Sequence, residues 1–109
     1  MKENFAQKIS HEDLVFMKIQ DRSPLYLPQL KSFDAVIIEY SNKLATEEIV
    51  KKIRCHNMES VYLIPIFVYK IYEEESGSRN PLIDGTIHSL NNLGKVAEVT
   101  RKINNKLTT

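Results

Sequence analysis

Three ionisable side chains in this chain stand where a buried apolar run stops. Glu39 closes "FDAVIIE", Lys70 follows "IPIFVY", and Asp21 follows "LVFMKIQ". A carboxylate at the end of a buried strand can help hold a divalent cation, accept or imitate a phosphoryl group, or move a proton. A lysine beside it supplies the neutralising charge. Asp34 and Glu39 open and close one run. Ser89, after "IDGTIH", is the remaining polar side chain that follows an apolar run.

The other reactive residues carry less. Cys55 and His56 are adjacent, so on a helix they point in different directions, and no third group stands at triad spacing. Cys55 is read as a small buried thiol. His11 and His88 lack a partner three or four residues away, so no metal site is predicted. Gly85 in "IDGT" has neither a glycine repeat nor a following lysine, and is read as a turn or bulge glycine rather than a phosphate cradle. Tyr62, Tyr69 and Tyr72 lie in or beside the longest apolar run and are read as packing residues.

These residues have to be positioned by the elements around them. "LVFMKI" (Leu14 to Ile19), "AVIIEY" (Ala35 to Tyr40) and "VYLIPIFVY" (Val61 to Tyr69) are continuous, β-branched or aromatic, and short, which predicts buried strands. "PLIDGTIH" predicts a weaker fourth. "TEEIVKKIRCHN" predicts a helix capped by Thr46 with a stripe of Ile49, Val50 and Ile53. Leu93, Val96, Ala97, Thr100, Ile103 and Leu107 recur at helical spacing and predict an amphipathic closing helix. Apolar strands alternating with such helices specify an α/β fold whose sheet is parallel, with helices on its faces and reactive groups at the carboxyl ends of the strands. Residues 1–13 are read as an N-terminal extension, and residues 73–81, "EEESGSRNP", as an exposed loop.

At 109 residues the chain is read as a single domain. Its 42% apolar and 27% charged content is that of a globular protein. Fifteen basic and fourteen acidic residues leave a net charge of +1, which argues against nucleic acid and anionic membranes as partners. A single cysteine fits a reducing cytoplasm. "MKENFAQKISHED" is too polar for a signal peptide, and no apolar run approaches the roughly 20 residues of a membrane span.

The run from Asp34 to Glu39 resembles the third strand of response-regulator receiver domains, in which a polar residue and four apolar ones lead to the phosphoacceptor aspartate. Glu39 falls on the acceptor. "IVKKIR" is similar to that family's third helix, and "IPIFVYK" to its fourth strand, with Lys70 on the switch hydroxyl position. "IDGTIHS" looks like the fifth strand, with Ser89 in place of the phosphate-contacting lysine. The resemblance spans Phe33 to Leu107 and implies a small three-layer, flavodoxin-like parallel sheet of about four to five strands with helices on both faces. After the first strand, where receivers hold magnesium with two acids, this chain offers Gln20 and Asp21. Gln20 to Ser32 is a stretch of thirteen residues, room for one short helix, too few for the helix, strand and helix of a full receiver. A hairpin of "LVFMKI" with "LYL" across "QDRSP" competes with a crossover there.

The resemblance implies a degenerate pseudo-receiver: a non-catalytic signalling or regulatory module without cofactor, acting on a protein partner, through a fused output domain of a larger protein, or as a homodimer. Its pairing face would contain Ile87, Leu93 and Val96. Glu39 and Lys70, at the ends of neighbouring strands about 4.8 Å apart, are within reach of an ion pair that would stand in for the aspartyl phosphate; the competing and favoured reading has both side chains in water, Glu39 as a strand-end acid and Lys70 as a solubilising residue. The alternative is a small metal-dependent hydrolase or nuclease using Asp34 and Glu39, whose strand superficially resembles that of restriction-type nucleases. That family's lysine position is Ser41 here.

Overall fold

The computed structural model describes residues 6–22, 26–71 and 80–108, with side chains through 105. Five strands, β1 (Gln7–His11), β2 (Leu14–Gln20), β3 (Ala35–Glu39), β4 (Ile66–Tyr69) and β5 (Gly85–Ile87), form one sheet in sequential order. The pairs from β2 to β5 are parallel, and β1 is antiparallel to β2. The helices are α1 (Lys43–Arg54), α2 (Glu59–Tyr62) and α3 (Leu93–Thr108), with 3-10 turns at Leu27–Ser32 and Leu90–Asn92. The architecture is α/β. Among the described residues no helix is long and apolar enough to cross a membrane.

Side chains alternate along a strand, and here both faces are covered, so β3 is apolar throughout. Val36 and Ile38 pack with Ile49, Val50 and Ile53 of α1, Val61 of α2 and Leu30 of the 3-10 turn. Ala35 and Ile37 pack on the other face with Val96 and Ala97 of α3. The lysine that interrupts β2, Lys18, falls on the α3 face, where Glu39 also lies.

Several sequence expectations are revised. The presumed N-terminal extension contains β1, joined to β2 by a turn at Glu12 and Asp13 in which Glu12 has φ 56°, a left-handed conformation uncommon outside glycine. Arg101 of α3 fastens that turn through ion pairs to Glu12 at 3.2 Å and Asp13 at 2.5 Å. The competing hairpin is not formed. β2 pairs with β1 and β3, and the 3-10 turn that starts at Leu27 serves the parallel crossover, while Leu25 lies outside the described residues. α1 is capped by Asn42, whose Oδ1 accepts from Ala45 N at 2.8 Å; Thr46 lies inside the helix.

The pairing face expected from Ile87, Leu93 and Val96 is also corrected. Ile87 and Val96 are buried in the core under α3 and Leu93 packs against that core, so their apolar surface is used within the chain. Gly85 is explained by close approach: a Cβ there would lie 3.1 and 3.2 Å from Cδ2 and Cε2 of Phe67. Tyr72, the side chain of Leu107 and residues 73–79 of the expected loop lie outside the described residues.

Candidate site at the carboxyl edge of the sheet

β2 and β3 end side by side, with Gln20 opposite Glu39 in register and Asp21 N donating to Glu39 O at 3.1 Å. The chain turns after Gln20, and the Asp21 carboxylate meets the start of α1. A helix begins with N–H groups that have no partner inside the helix and with the positive end of its dipole, so an anion is stabilised there. Asp21 Oδ2 accepts from Ser41 N at 2.7 Å, Asn42 N at 3.2 Å and Thr46 Oγ1 at 2.9 Å, and Oδ1 accepts from Ser41 Oγ at 2.5 Å. The residue is buried. Burial raises its pKa, but the hydrogen bonds from Ser41, Asn42 and Thr46 outweigh burial and hold it below the ordinary carboxylate value. Both oxygens are therefore engaged by the chain itself.

Glu39 does not meet Lys70. Its Oε2 is 2.9 Å from Lys18 Nζ, in a pair whose side chains keep 31% and 14% of their exposure. Lys18 Nζ also reaches Gln7 Oε1 at 3.5 Å. An ion pair still touched by water contributes about 0 to 1 kcal/mol, so its effect is chiefly to neutralise Glu39. Lys70 Nζ instead lies over the Tyr40 ring, 4.5 Å from its centroid. Of the two readings of Glu39 and Lys70, the surrogate of an aspartyl phosphate is not formed, and the two side chains make separate contacts. The reason is register: Lys18 and Glu39 share a face on adjacent strands, whereas Lys70 lies one residue past Tyr69, the partner of Glu39.

Ser89 has a local task, its Oγ accepting from Asn91 N at 3.1 Å to cap the 3-10 turn before α3. Asp34 sits at the opposite edge, where its Oδ2 accepts from Val15 N at 2.7 Å and its own N–H donates to Val15 O at 2.8 Å, clamping β2 to β3. Glu39 lies five strand positions beyond Asp34, about 16 Å, and by alternation the two point to opposite faces. They cannot share a metal ion, which removes the geometry of the hydrolase alternative. Among the described residues no group of three or more His, Cys, Asp or Glu side chains could hold a metal ion.

His56 Nδ1 accepts from Met58 N at 3.0 Å, and His88 Nδ1 lies 3.0 Å from Lys70 O. Cys55, expected to be buried, is exposed, because it follows the last turn of α1 off the apolar stripe. Sequence reasoning missed Ser41, Asn42, Thr46 and Lys18 as partners of the two acids. Asn42 is a favoured cap type, and a lysine within a strand signals a polar spot on one face. The chain matches no protein-family model, no curated protein and no solved structure.

Proposed function

We propose that this domain is a non-catalytic regulatory binding module, a degenerate pseudo-receiver that works in the cytoplasm through a protein partner or a fused output domain. In this reading its sheet and helices form a flavodoxin-like three-layer unit in which the antiparallel β1 takes the place of the receiver's second strand. One observation carries the proposal: the Asp21 carboxylate, which stands at the position where a receiver begins its magnesium site, is fully engaged by Ser41, Asn42 and Thr46. Metal would have to displace four hydrogen bonds to one buried anion. Pairing of Glu39 with Lys18 supports the same reading, since a neutralised glutamate is a poor phosphoryl acceptor. Phosphoryl transfer depends on a positioned metal, and the carboxylate that would begin its site is held by the start of α1.

The test is incubation of the full chain with acetyl phosphate and magnesium, followed by intact-mass spectrometry. The mass is expected to stay unchanged. A stoichiometric phosphoryl adduct would overturn the reading.

A further inference from the structure

β1 holds its edge of the sheet with little apolar contact. Gln7, Lys8 and Ser10 are exposed, and Ile9 and His11 are half-buried, so none of its residues is fully enclosed. Ile9 packs against the core on the α3 face, and Ala6, just before the strand, against the core on the other. β3, by contrast, is buried at every position but the last.

Polar attachments at the two ends of β1 complete its hold. At the turn, Arg101 grips Glu12 and Asp13, but the three side chains keep 40%, 63% and 79% of their exposure, so water and salt compete for both ion pairs. At the other end, Gln7 stands opposite Lys18 in register, and its Oε1 accepts from Lys18 Nζ at 3.5 Å, long for a hydrogen bond. The turn itself works against the attachment. Glu12 at φ 56° holds a conformation that is unfavourable for a residue with a Cβ, and that strain is relieved when the turn lets go.

We propose that β1 and its turn form a detachable strap, latched by Arg101, that opens as a unit while β2 to β5 and the helices stay folded. Opening strips the ladder from the outer edge of β2, from Leu14 to Lys18. It also takes Gln7 away from Lys18, so the Lys18–Glu39 pair, now 14% and 31% exposed, becomes accessible. The latch at the amino edge thereby governs access to an acid and a base near the carboxyl edge, with β1 as the link. The device does not depend on whether the Asp21 site is chemically inert.

Native-state hydrogen exchange of the full chain tests this. The protected amides of β1 should exchange through an opening about a hundredfold more populated than the one that exposes β3, and with little dependence on urea. Arg101→Gln should raise β1 exchange about fivefold, and sodium chloride raised from about 0.1 to about 1 M should raise it about twofold in the wild type. β3 exchange verifies that the variant stays folded. Acetic anhydride, which acylates accessible amines, should label Lys18 faster in Arg101→Gln by the same factor, while the exposed Lys52 of α1 is labelled at an unchanged rate. Amides of β1 that exchange only together with β3, in global unfolding, would overturn the proposal. So would an Arg101→Gln chain whose β1 exchange or Lys18 labelling matches the wild type.

Discussion

Asp21→Ala is expected to destabilise the domain by about 2 to 4 kcal/mol, a large part of the 5 to 15 kcal/mol that holds a typical small domain together. The side chain accepts from two backbone N–H groups and two hydroxyls, and alanine leaves all four donors at the start of α1 without their acceptor. Hydrogen bonds to a charged group contribute more than neutral ones, and a buried donor stripped of its partner costs about 1 to 3 kcal/mol. Water reaches the exposed Ser41 and softens that loss. Urea unfolding should show a lower midpoint at an unchanged slope.

The pH dependence has a definite sign. The folded-state pKa of Asp21 lies below its ordinary value, so between those two values the unfolded chain binds more protons than the folded one. The Asp21 contribution is complete above the ordinary aspartate pKa of about 3.9 and is lost as pH falls through the lower folded value. Asp21→Asn keeps the shape without the charge, but presents amide hydrogens to N–H donors. Its stability profile should lack this part of the acid limb. An Asp21→Ala variant as stable as the wild type would contradict the assigned anchor.

Arg54→Ala is expected to cost about 2 to 3 kcal/mol through a different junction. Arg54 ends α1, and its guanidinium donates to Tyr62 O at 2.8 Å, Ile64 O at 2.6 Å and Leu82 O at 2.9 Å, and to Asp84 Oδ2 at 3.0 Å. Asp84 Oδ2 also accepts from Ile66 N at 2.8 Å, so one side chain joins the ends of α1 and α2 to the starts of β4 and β5. A planar fork with five donors can serve three carbonyls and a carboxylate together, which a compact ammonium cannot. Arg54→Lys should therefore recover less than half of the loss. A cycle combining Arg54→Ala with Asp84→Ala should give a coupling of about 1 kcal/mol, because the carbonyl contacts are independent of Asp84. If Arg54→Lys matched the wild type, the fork would have no structural role.

What could be read from the residues follows from how each element is buried. β2, β3 and β4 are legible because covering both faces of a parallel sheet leaves little room for polar residues, as in "AVIIE". β1, "QKISH", is not, because an exposed edge strand needs only Ile9 inward and otherwise looks like an extension. The stripe of α3 is legible, but the pairing face that the receiver resemblance implies at Leu93 and Val96 falls on that stripe, which packs on the sheet. A single chain's periodicity marks an apolar face without saying whether the chain's own core covers it.

The site divides in the same way. That Asp21 and Glu39 each follow a buried run was readable; that the two runs lie side by side was not, since a crossover and a hairpin were both open between them. The partners of the two acids were not readable either, since Thr46 and Asn42 are both good cap residues and only Asp21, more than twenty residues away, decides which one caps and which one turns toward the acid. Lys18 became the partner of Glu39 through register, which a one-residue shift would have changed.

The central claim is that the Asp21 carboxylate serves as the internal anion of α1 and is closed to metal. Magnesium titration of the isotope-labelled chain, followed at the backbone amides of Ser41 and Asn42, tests it most directly. With Asp21 held in place, those two resonances should stay fixed through millimolar magnesium at neutral pH. A saturable shift of both amides, abolished by Asp21→Asn in a folded variant, would mean that the carboxylate leaves α1 for the metal and would contradict the account.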